Sequence, residues 1–319
     1  MLLWRSLDEV PADFGRTAVA IGVFDGVHAG HRAIIERACV AAAHDGVRAV
    51  VISFDPHPNA VVRPDQTPLM LTTVEQRAAL IAALGVDALL ALPFTRELSQ
   101  LTAEEFVEQV LVSRLQVAHV VVGANFRFGH RAAGDVELLR REGERFGFAV
   151  DAVELLGGGD PVSSTRVRGL VADGDVAGAA AALGRPHRVQ GPVVRGDARG
   201  RELGYPTANV AVDASMAVPA DGVYAGWLVR ADGTRLPAAI SVGTNPTFDG
   251  TERRLEAYAL DVDVDLYDEV VSVEFVERLR DMVRFDSVDD LLVQMAQDVG
   301  DSRRRLTIHG ESSGHSVSD

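Results

Sequence analysis

The chain has almost no cysteine, no long apolar run and no excess of positive charge. Its one cysteine, Cys39, cannot close an internal disulfide. That usage fits a reducing compartment, so a cytoplasmic protein is expected. No apolar stretch approaches the roughly 20 residues of a bilayer-spanning helix, and no membrane partner is expected. The first residues, Met1-Leu2-Leu3-Trp4-Arg5-Ser6-Leu7-Asp8-Glu9, meet acidic groups at once and lack the layout of a secretory signal. The formal net charge is −15, which argues against a general nucleic-acid face, because such a face is basic. Phosphates would instead be handled locally, by helix N-termini, a few arginines and Mg²⁺. There is no G-x-x-x-x-G-K-S/T loop, which excludes a P-loop enzyme, and no internal repeat.

What is present is an apolar content of 47% in 319 residues, ample for a packed core and suggestive of two domains. Strand-like runs at 18–24, 49–54, 88–94, 119–123 and 148–155 alternate with helical patterns at 31–43, 74–84, 103–115 and 135–146. Short, continuously apolar strands separated by helices predict a doubly wound α/β domain with a parallel sheet. Two further helices are predicted over 163–183, ending at Gly184. Beyond Pro186 the pattern changes. Runs at 187–195, 209–212, 222–230, 236–242, 254–266 and 270–280 are split by Gly, Pro and Asp, with no helix between them. They predict an antiparallel β-barrel or sandwich. A C-terminal helix over 288–306 with Ser287 as N-cap follows, and a small polar tail, 310–319, is expected to be disordered.

Ligands bind such parallel sheets at the carboxyl ends of the strands. Three segments converge there. The first is Gly22-Val23-Phe24-Asp25-Gly26-Val27-His28-Ala29-Gly30-His31, a strand-to-helix turn. Such a turn offers backbone N–H groups and the positive end of a helix dipole to an anion. Small residues let a phosphate approach, and imidazoles add donors. No Cys, His or Glu nearby completes a zinc set for His28 and His31, so phosphate contact is the better role. The second is Asp55-Pro56-His57-Pro58, a rigid turn. The third is Asn125-Phe126-Arg127-Phe128-Gly129, in which Asn125 could hold Mg²⁺ or a ribose and the aromatics either line a pocket or pack the core. A second anion cradle is Ser163-Ser164-Thr165-Arg166-Val167-Arg168, where hydroxyls and free N–H groups open a helix and Arg168 adds a fork; plain N-capping would also account for its serines.

In the second half, Gly191, Gly196, Gly200 and Gly204 would let the chain close over a nucleotide. Thr207 and Asn209 are hard oxygen ligands suited to Mg²⁺ with phosphates. The alternating run at 255–267 places Asp261, Asp263 and Asp265 on one face. Its spacing fails the Ca²⁺-loop pattern at Leu266 and Ser272, so the aspartates read as a solvated strand face. Glu256 precedes them, as a general base or a surface acid.

Together these motifs resemble the prokaryotic bifunctional riboflavin kinase/FMN adenylyltransferase family, also called FAD synthetase. The likeness runs through the segments at 22–31, 53–58, 126–129, 163–168, 200–209, 222–225, 242–248 and 265–267. It implies an FMN adenylyltransferase domain over 1–185 and a riboflavin kinase domain over 186–309. It implies ATP as co-substrate, Mg²⁺ as cofactor, and riboflavin, FMN and FAD as substrate, intermediate and product. By residue match, His28 and His31 would stabilise the adenylyl transition state. Gly22, Phe24, Asp25, Gly26, Gly30, Ser163, Ser164, Thr165 and Arg168 would bind ATP, with Asn125 near Mg²⁺. Asp55, His57 and Pro58 would border FMN. In the kinase half, Glu256 would be the general base. Thr207 and Asn209 would hold Mg²⁺, Gly191, Gly196 and Gly204 would lie at ATP, and Arg280 at the flavin. The family often carries His where Tyr258 stands, Phe where Val262 stands and Gly where Asp268 stands; Asp is also common at Asn125. Two competing readings are a single-activity nucleotidyltransferase with a non-catalytic β domain, and a flavin-sensing module without turnover. Self-association is left open.

Overall fold

The computed structural model describes residues 1–154, 162–196, 200, 203–244, 253–262 and 264–313. Packing divides the chain into two compact units, Met1–Ser164 and Thr165 onward.

The first unit is built on a parallel sheet of six strands: β1 (Leu2–Trp4), β2 (Thr17–Ile21), β3 (Arg48–Asp55), β4 (Ala88–Pro93), β5 (Val117–Gly123) and β6 (Ala149–Val153). Their order is β1-β4-β3-β2-β5-β6, and every pairing is parallel. Strand β2 is buried throughout, which is why it reads as one apolar run. The order reverses at β2: the chain next builds β3 and β4 on one side, then β5 and β6 on the other. A doubly wound sheet binds ligands at such a reversal.

Capping residues start the helices. Helix α1 (Ala29–Asp45) begins at His28 and ends at left-handed Gly46. Helix α2 (Pro58–Val62) starts at His57, with Pro58 in its first turn. Thr73 and Gln76 form a reciprocal capping box on α3 (Val74–Ala82), and Thr102 and Glu105 another on α4 (Ala103–Phe106). Beyond α4 the coil widens to a π-helical stretch, Val107–Arg114. Asp135 caps α5 (Val136–Phe146), and Gly147 stops it. Strand β1 was not foreseen, because three residues are too few to show a period. Strand β2 stops at Ile21, short of the expected residue 24, because Phe24, Gly26 and Val27 take left-handed backbone.

The second unit opens with α6 (Ser164–Ala172), whose first residue closes the first unit, and α7 (Val176–Leu183). A closed antiparallel barrel follows: β7 (His187–Val194), β8 (Ala208–Val210), β9 (Gly222–Val229), β10 (Arg235–Gly243), β11 (Arg254–Ala259) and β12 (Val270–Arg280), ordered β10-β11-β8-β7-β12-β9. Closure leaves no strand edge unpaired. Val189, Val210, Leu228, Ile240, Leu255, Val273 and Phe275 fill its interior.

The run expected to be one strand over 254–266 is strand only to Ala259. Asp261 takes φ +59° and binds Arg303 through both carboxylate oxygens. That guanidinium holds the Asp261 carboxyl below its usual range. Asp265 accepts the Tyr267 N–H at 3.1 Å, and Asp263 lies outside the described residues. Asp261 and Asp265 therefore do not form a strand face: both lie beyond the end of β11, although the spacing has the period of a strand. Helix α8 (Val288–Ser313) is capped by Ser287, whose Oγ accepts the Asp290 N–H at 3.1 Å. It runs into the start of the segment expected to be disordered; residues 314–319 lie outside the described set. Among the described residues no helix is long and apolar enough to cross a membrane.

Strand β12 passes so close to β9 that a Cβ on Gly226 would sit 2.0 Å from the Glu274 carbonyl oxygen. Gly226→Ala should therefore destabilise the barrel by about 2 kcal/mol or more, read as a lower midpoint in urea unfolding.

Candidate active sites

In the first unit the site grows from the β2–α1 turn. Gly22 leaves the sheet, and the Phe24 ring folds back over it; a Cβ on Gly22 would lie 3.0 Å from that ring. Asp25 is 1% exposed. Its carboxylate accepts the Leu71 N–H at 3.0 Å, the Thr72 N–H at 3.0 Å and the Thr72 hydroxyl at 3.1 Å. The Gly26 N–H donates to Thr72 Oγ1 at 3.1 Å. Asp25 thus braces the turn.

At the start of α1, His28 is buried, and its Nδ1 accepts the His31 N–H at 3.4 Å. The acceptor role at Nδ1 puts the ring proton on Nε2. The two imidazoles stack with centroids 3.6 Å apart, and the Phe24 ring meets His31 edge-on at 5.3 Å. A Cβ on Gly30 would press on the His28 ring at 3.3 Å. Ser164, next to Ser163, donates its hydroxyl to the Asp25 carbonyl at 2.9 Å. The structure so joins Gly22, Phe24, Asp25, Gly26, His28, Gly30, His31 and Ser164. Thr165 and Arg168 follow in the first turns of α6, within the second unit.

Strands β3 and β5 flank β2, so their carboxyl ends bring two more segments alongside. Asp55 ends β3, and the His57 Nδ1 accepts the Asn59 N–H at 3.1 Å. Asn125 stands exposed just after β5. Of the aromatics that follow it, Phe128 is 8% exposed and stacks on Phe126 at 5.4 Å; both pack into the core rather than line a ring pocket.

In the second unit, cross-strand register makes the site. Asn209 on β8 pairs with Glu256 on β11, which pairs with Ser241 on β10. Their neighbours Ala208, Val210, Leu255 and Ala257 point into the barrel, so Asn209 and Glu256 share the opposite face. Thr207 precedes β8 and lines a small cavity with Pro206, Val193, Val262, Leu266 and Tyr267. Asn209 Oδ1 is buried and has no hydrogen-bond partner among the described residues. A Cβ on Gly196 would strike the Asn209 amide at 2.4 Å. A buried amide oxygen without a protein donor, two residues along the chain from a hydroxyl, is the kind of donor set that fits a hard cation such as Mg²⁺. The chain contains no lysine, so positive charge at the phosphates falls to arginine, protonated histidine, helix dipoles or a metal.

Other expected residues have structural tasks. A Cβ on Gly191 would sit 2.0 Å from the Ala211 carbonyl oxygen, so this glycine permits close backbone approach. Gly204 turns the chain at φ +84°. Arg280 grips the buried Asp298 carboxylate of α8 at 2.7 and 2.9 Å, which commits its guanidinium to holding the helix. Tyr258 packs edge-on against Tyr205 at 5.4 Å. Asp268 has φ +64°, a conformation in which glycine is unstrained. The motif stretches at 201–202 and 245–248 lie outside the described residues.

Thr72, Arg77 and Ser241 escaped the sequence reading. Arg77 is 2% exposed and donates to Val23 O at 3.1 Å, Ser53 Oγ at 2.5 Å and Phe54 O at 3.2 Å. Burial pushes its guanidinium below its ordinary pKa, against the opposing pull of Asp25 and Asp55. Nothing in its neighbourhood in sequence announces these partners.

Asp25→Ala would leave three buried donors of Leu71 and Thr72 without this acceptor. It should cost the first unit about 3 kcal/mol. Two tryptophans allow the units to be read separately. In a Trp227→Phe background, Trp4 fluorescence in urea should report the earlier unfolding.

Residues 10–166 match the family described as FAD synthetase, and residues 183–306 the family described as riboflavin kinase. The bifunctional riboflavin kinase/FMN adenylyltransferase of Escherichia coli strain K12 is 37% identical over 281 residues, 88% of this chain and 90% of that protein. Its counterpart in Pseudomonas fluorescens is 38% identical over 305 residues, 95% of this chain and 97% of that one. A solved structure described as a macrolide-efflux protein from Streptococcus pneumoniae is similar with a TM-score of 0.83 and 33% identity, covering 95% of this chain and 98% of that one. With the FAD synthetase half first and the riboflavin kinase half second, the chain belongs to the bifunctional riboflavin kinase/FMN adenylyltransferase family and makes FAD from riboflavin in two steps.

Proposed function

We propose that the turn at 22–31 performs the adenylyl transfer and that the Thr207–Asn209–Glu256 row performs the riboflavin phosphorylation, with the two activities in residues 1–185 and 186–309. The observation that carries the first assignment is the stacked His28–His31 pair at the α1 N-terminus, where the sheet order reverses. The FMN phosphate attacks the α-phosphorus of ATP. The bond from that phosphorus to the oxygen bridging the β-phosphate breaks, and pyrophosphate leaves. The nucleophile is already an anion, so no strong base is required. Positioning and charge stabilisation do the catalysis. The His28 Nε2–H and the His31 ring donate to the phosphoryl oxygens, the α1 dipole adds positive potential, and Ser163, Ser164, Thr165 and Arg168 hold the pyrophosphate end. Asp55, His57 and Pro58 border the FMN, and Asn125 would help hold Mg²⁺.

In the barrel, the ribityl 5′-hydroxyl of riboflavin attacks the γ-phosphorus of ATP, and ADP leaves. Glu256 accepts the hydroxyl proton late, as the new O–P bond acidifies it. Support comes from the register that sets Glu256 beside Asn209. Thr207 and Asn209 would hold Mg²⁺ through their side-chain oxygens, and the metal would supply neutralisation of phosphate charge. Gly196 and Gly204 shape the loop at ATP, and Gly191, within β7, lies at the same nucleotide. Arg280 acts on the flavin side by fixing α8. The compartment we assign is the cytoplasm, and the partners are small molecules, without nucleic acid or membrane; the support is the single cysteine and the net charge of −15.

His28→Ala should abolish FAD formation from supplied FMN and leave FMN formation from riboflavin intact. Glu256→Ala should do the reverse. Loss of both products in either folded variant would overturn the two-site assignment. EDTA should stop both reactions, and added Mg²⁺ should restore them, as read by chromatography of the flavins.

A further inference from the structure

Arg77 is a buried charge that the chemistry above does not use. It meets neutral acceptors: Val23 O, Phe54 O and Ser53 Oγ. Ser53 donates in turn to Val23 O at 2.8 Å. The Arg77 Nε is buried with no hydrogen-bond partner among the described residues. A buried cation without a contacting carboxylate is expensive, and an apolar side chain could fill a core position at less cost. Filling space is therefore not its purpose.

Its acceptors name the purpose. Val23 opens the turn that carries His28 and His31. Phe54 immediately precedes Asp55, His57 and Pro58. One guanidinium thus ties the two turns together. The same segment holds the first turn a second time, since Leu71 and Thr72, just before α3, grip Asp25.

We propose that Arg77 is a positioning residue for adenylyl transfer, fixing the spacing between the turn that takes ATP and the turn that borders FMN. The proposal rests on the site assignment made above. In-line attack needs reacting atoms about 3–3.5 Å apart, and a misplacement of about 1 Å can cost roughly 100-fold in rate. Two turns on adjacent strands can drift by that much unless something spans them. The Arg77 Nη1 reaches both Val23 O and Phe54 O, whereas a lysine side chain ends one bond earlier, at about the place of the guanidinium carbon, and its ammonium falls short of both carbonyls.

The test is steady-state kinetics of Arg77→Lys and Arg77→Met with FMN and ATP both varied, alongside riboflavin phosphorylation by the same preparations. Both variants should lose at least tenfold in kcat for FAD formation. The KM for each substrate should stay within threefold, and riboflavin phosphorylation within twofold. A purely structural role would lower kcat only in proportion to the folded fraction, which urea unfolding of the same sample supplies. An Arg77→Lys kcat within twofold of the parent overturns the proposal. So does a defect confined to the KM of one substrate, which would mark a local prop rather than a link. If Arg77→Met does not fold, Ser53→Ala removes one shared acceptor with little change of shape. It should lower kcat at least threefold with the same KM pattern, and no change overturns the proposal. His28→Ala run in parallel separates the failures. FAD formation surviving in it overturns the site assignment and this proposal together. Its loss beside a normal Arg77→Lys overturns the role of Arg77 alone.

Discussion

The buried carboxylate of Asp25 is the constraint on which the turn proposed for adenylyl transfer depends. The turn it holds contains three left-handed residues, Phe24 at φ +53°, Gly26 at +83° and Val27 at +41°. For a bulky residue such a conformation costs about 1–3 kcal/mol, so two of the three need outside support. The bonds from Leu71 and Thr72 supply it. The consequences follow in order. Phe24 is forced back over Gly22, Val27 closes on Phe24 O at 3.1 Å, and His28 arrives at the cap of α1 with its ring stacked on His31. Ser164 then attaches to the Asp25 carbonyl. Asp25, which the resemblance places at ATP, thus supports the proposed phosphate-binding residues from beneath.

The barrel obeys a different rule. Its strands alternate between core and outer face, so a residue's chemistry is set by parity and register. Ala208, Val210, Leu255 and Ala257 fill the interior, and that leaves Asn209 and Glu256 side by side on the other face. A one-residue slip of β11 would bury Glu256 and expose its apolar neighbours. Hydrophobic packing therefore fixes the placement of the proposed base. Arg280 and Asp298 pin α8 to the end of β12 in the same indirect way.

Much of this was legible in the sequence. The apolar runs of β2 through β6 and of β7 through β12 and the cap of α8 are local signals; the run expected at 209–212 is Ala208–Val210 and the one expected at 254–266 ends as a strand at Ala259. The histidine turn and the Thr207–Asn209 stretch are local as well. The parts that were not legible depend on distant partners or on brevity. Strand β1 and helix α2 are too short to show a period. The run at 260–266 keeps strand spacing, but the strand ends at Ala259 and Asp261 takes left-handed backbone while bonded to Arg303, a partner from α8. The bracing role of Asp25, the buried guanidinium of Arg77 and the grip of Arg280 on Asp298 each need a partner from another element, and no short window along the chain contains both ends.

The most direct test of the account is a crystal structure of the protein with α,β-methylene-ATP, which resembles the nucleotide but resists cleavage at the bond in question. The account places the α- and β-phosphates at the N-terminus of α1, with the His28 and His31 rings and the Ser164 hydroxyl within hydrogen-bonding distance and the Asp25 carboxylate still bonded to Leu71 and Thr72. A nucleotide bound in the first unit with its phosphates away from this turn, or one that takes the Asp25 carboxylate as a ligand, would contradict it.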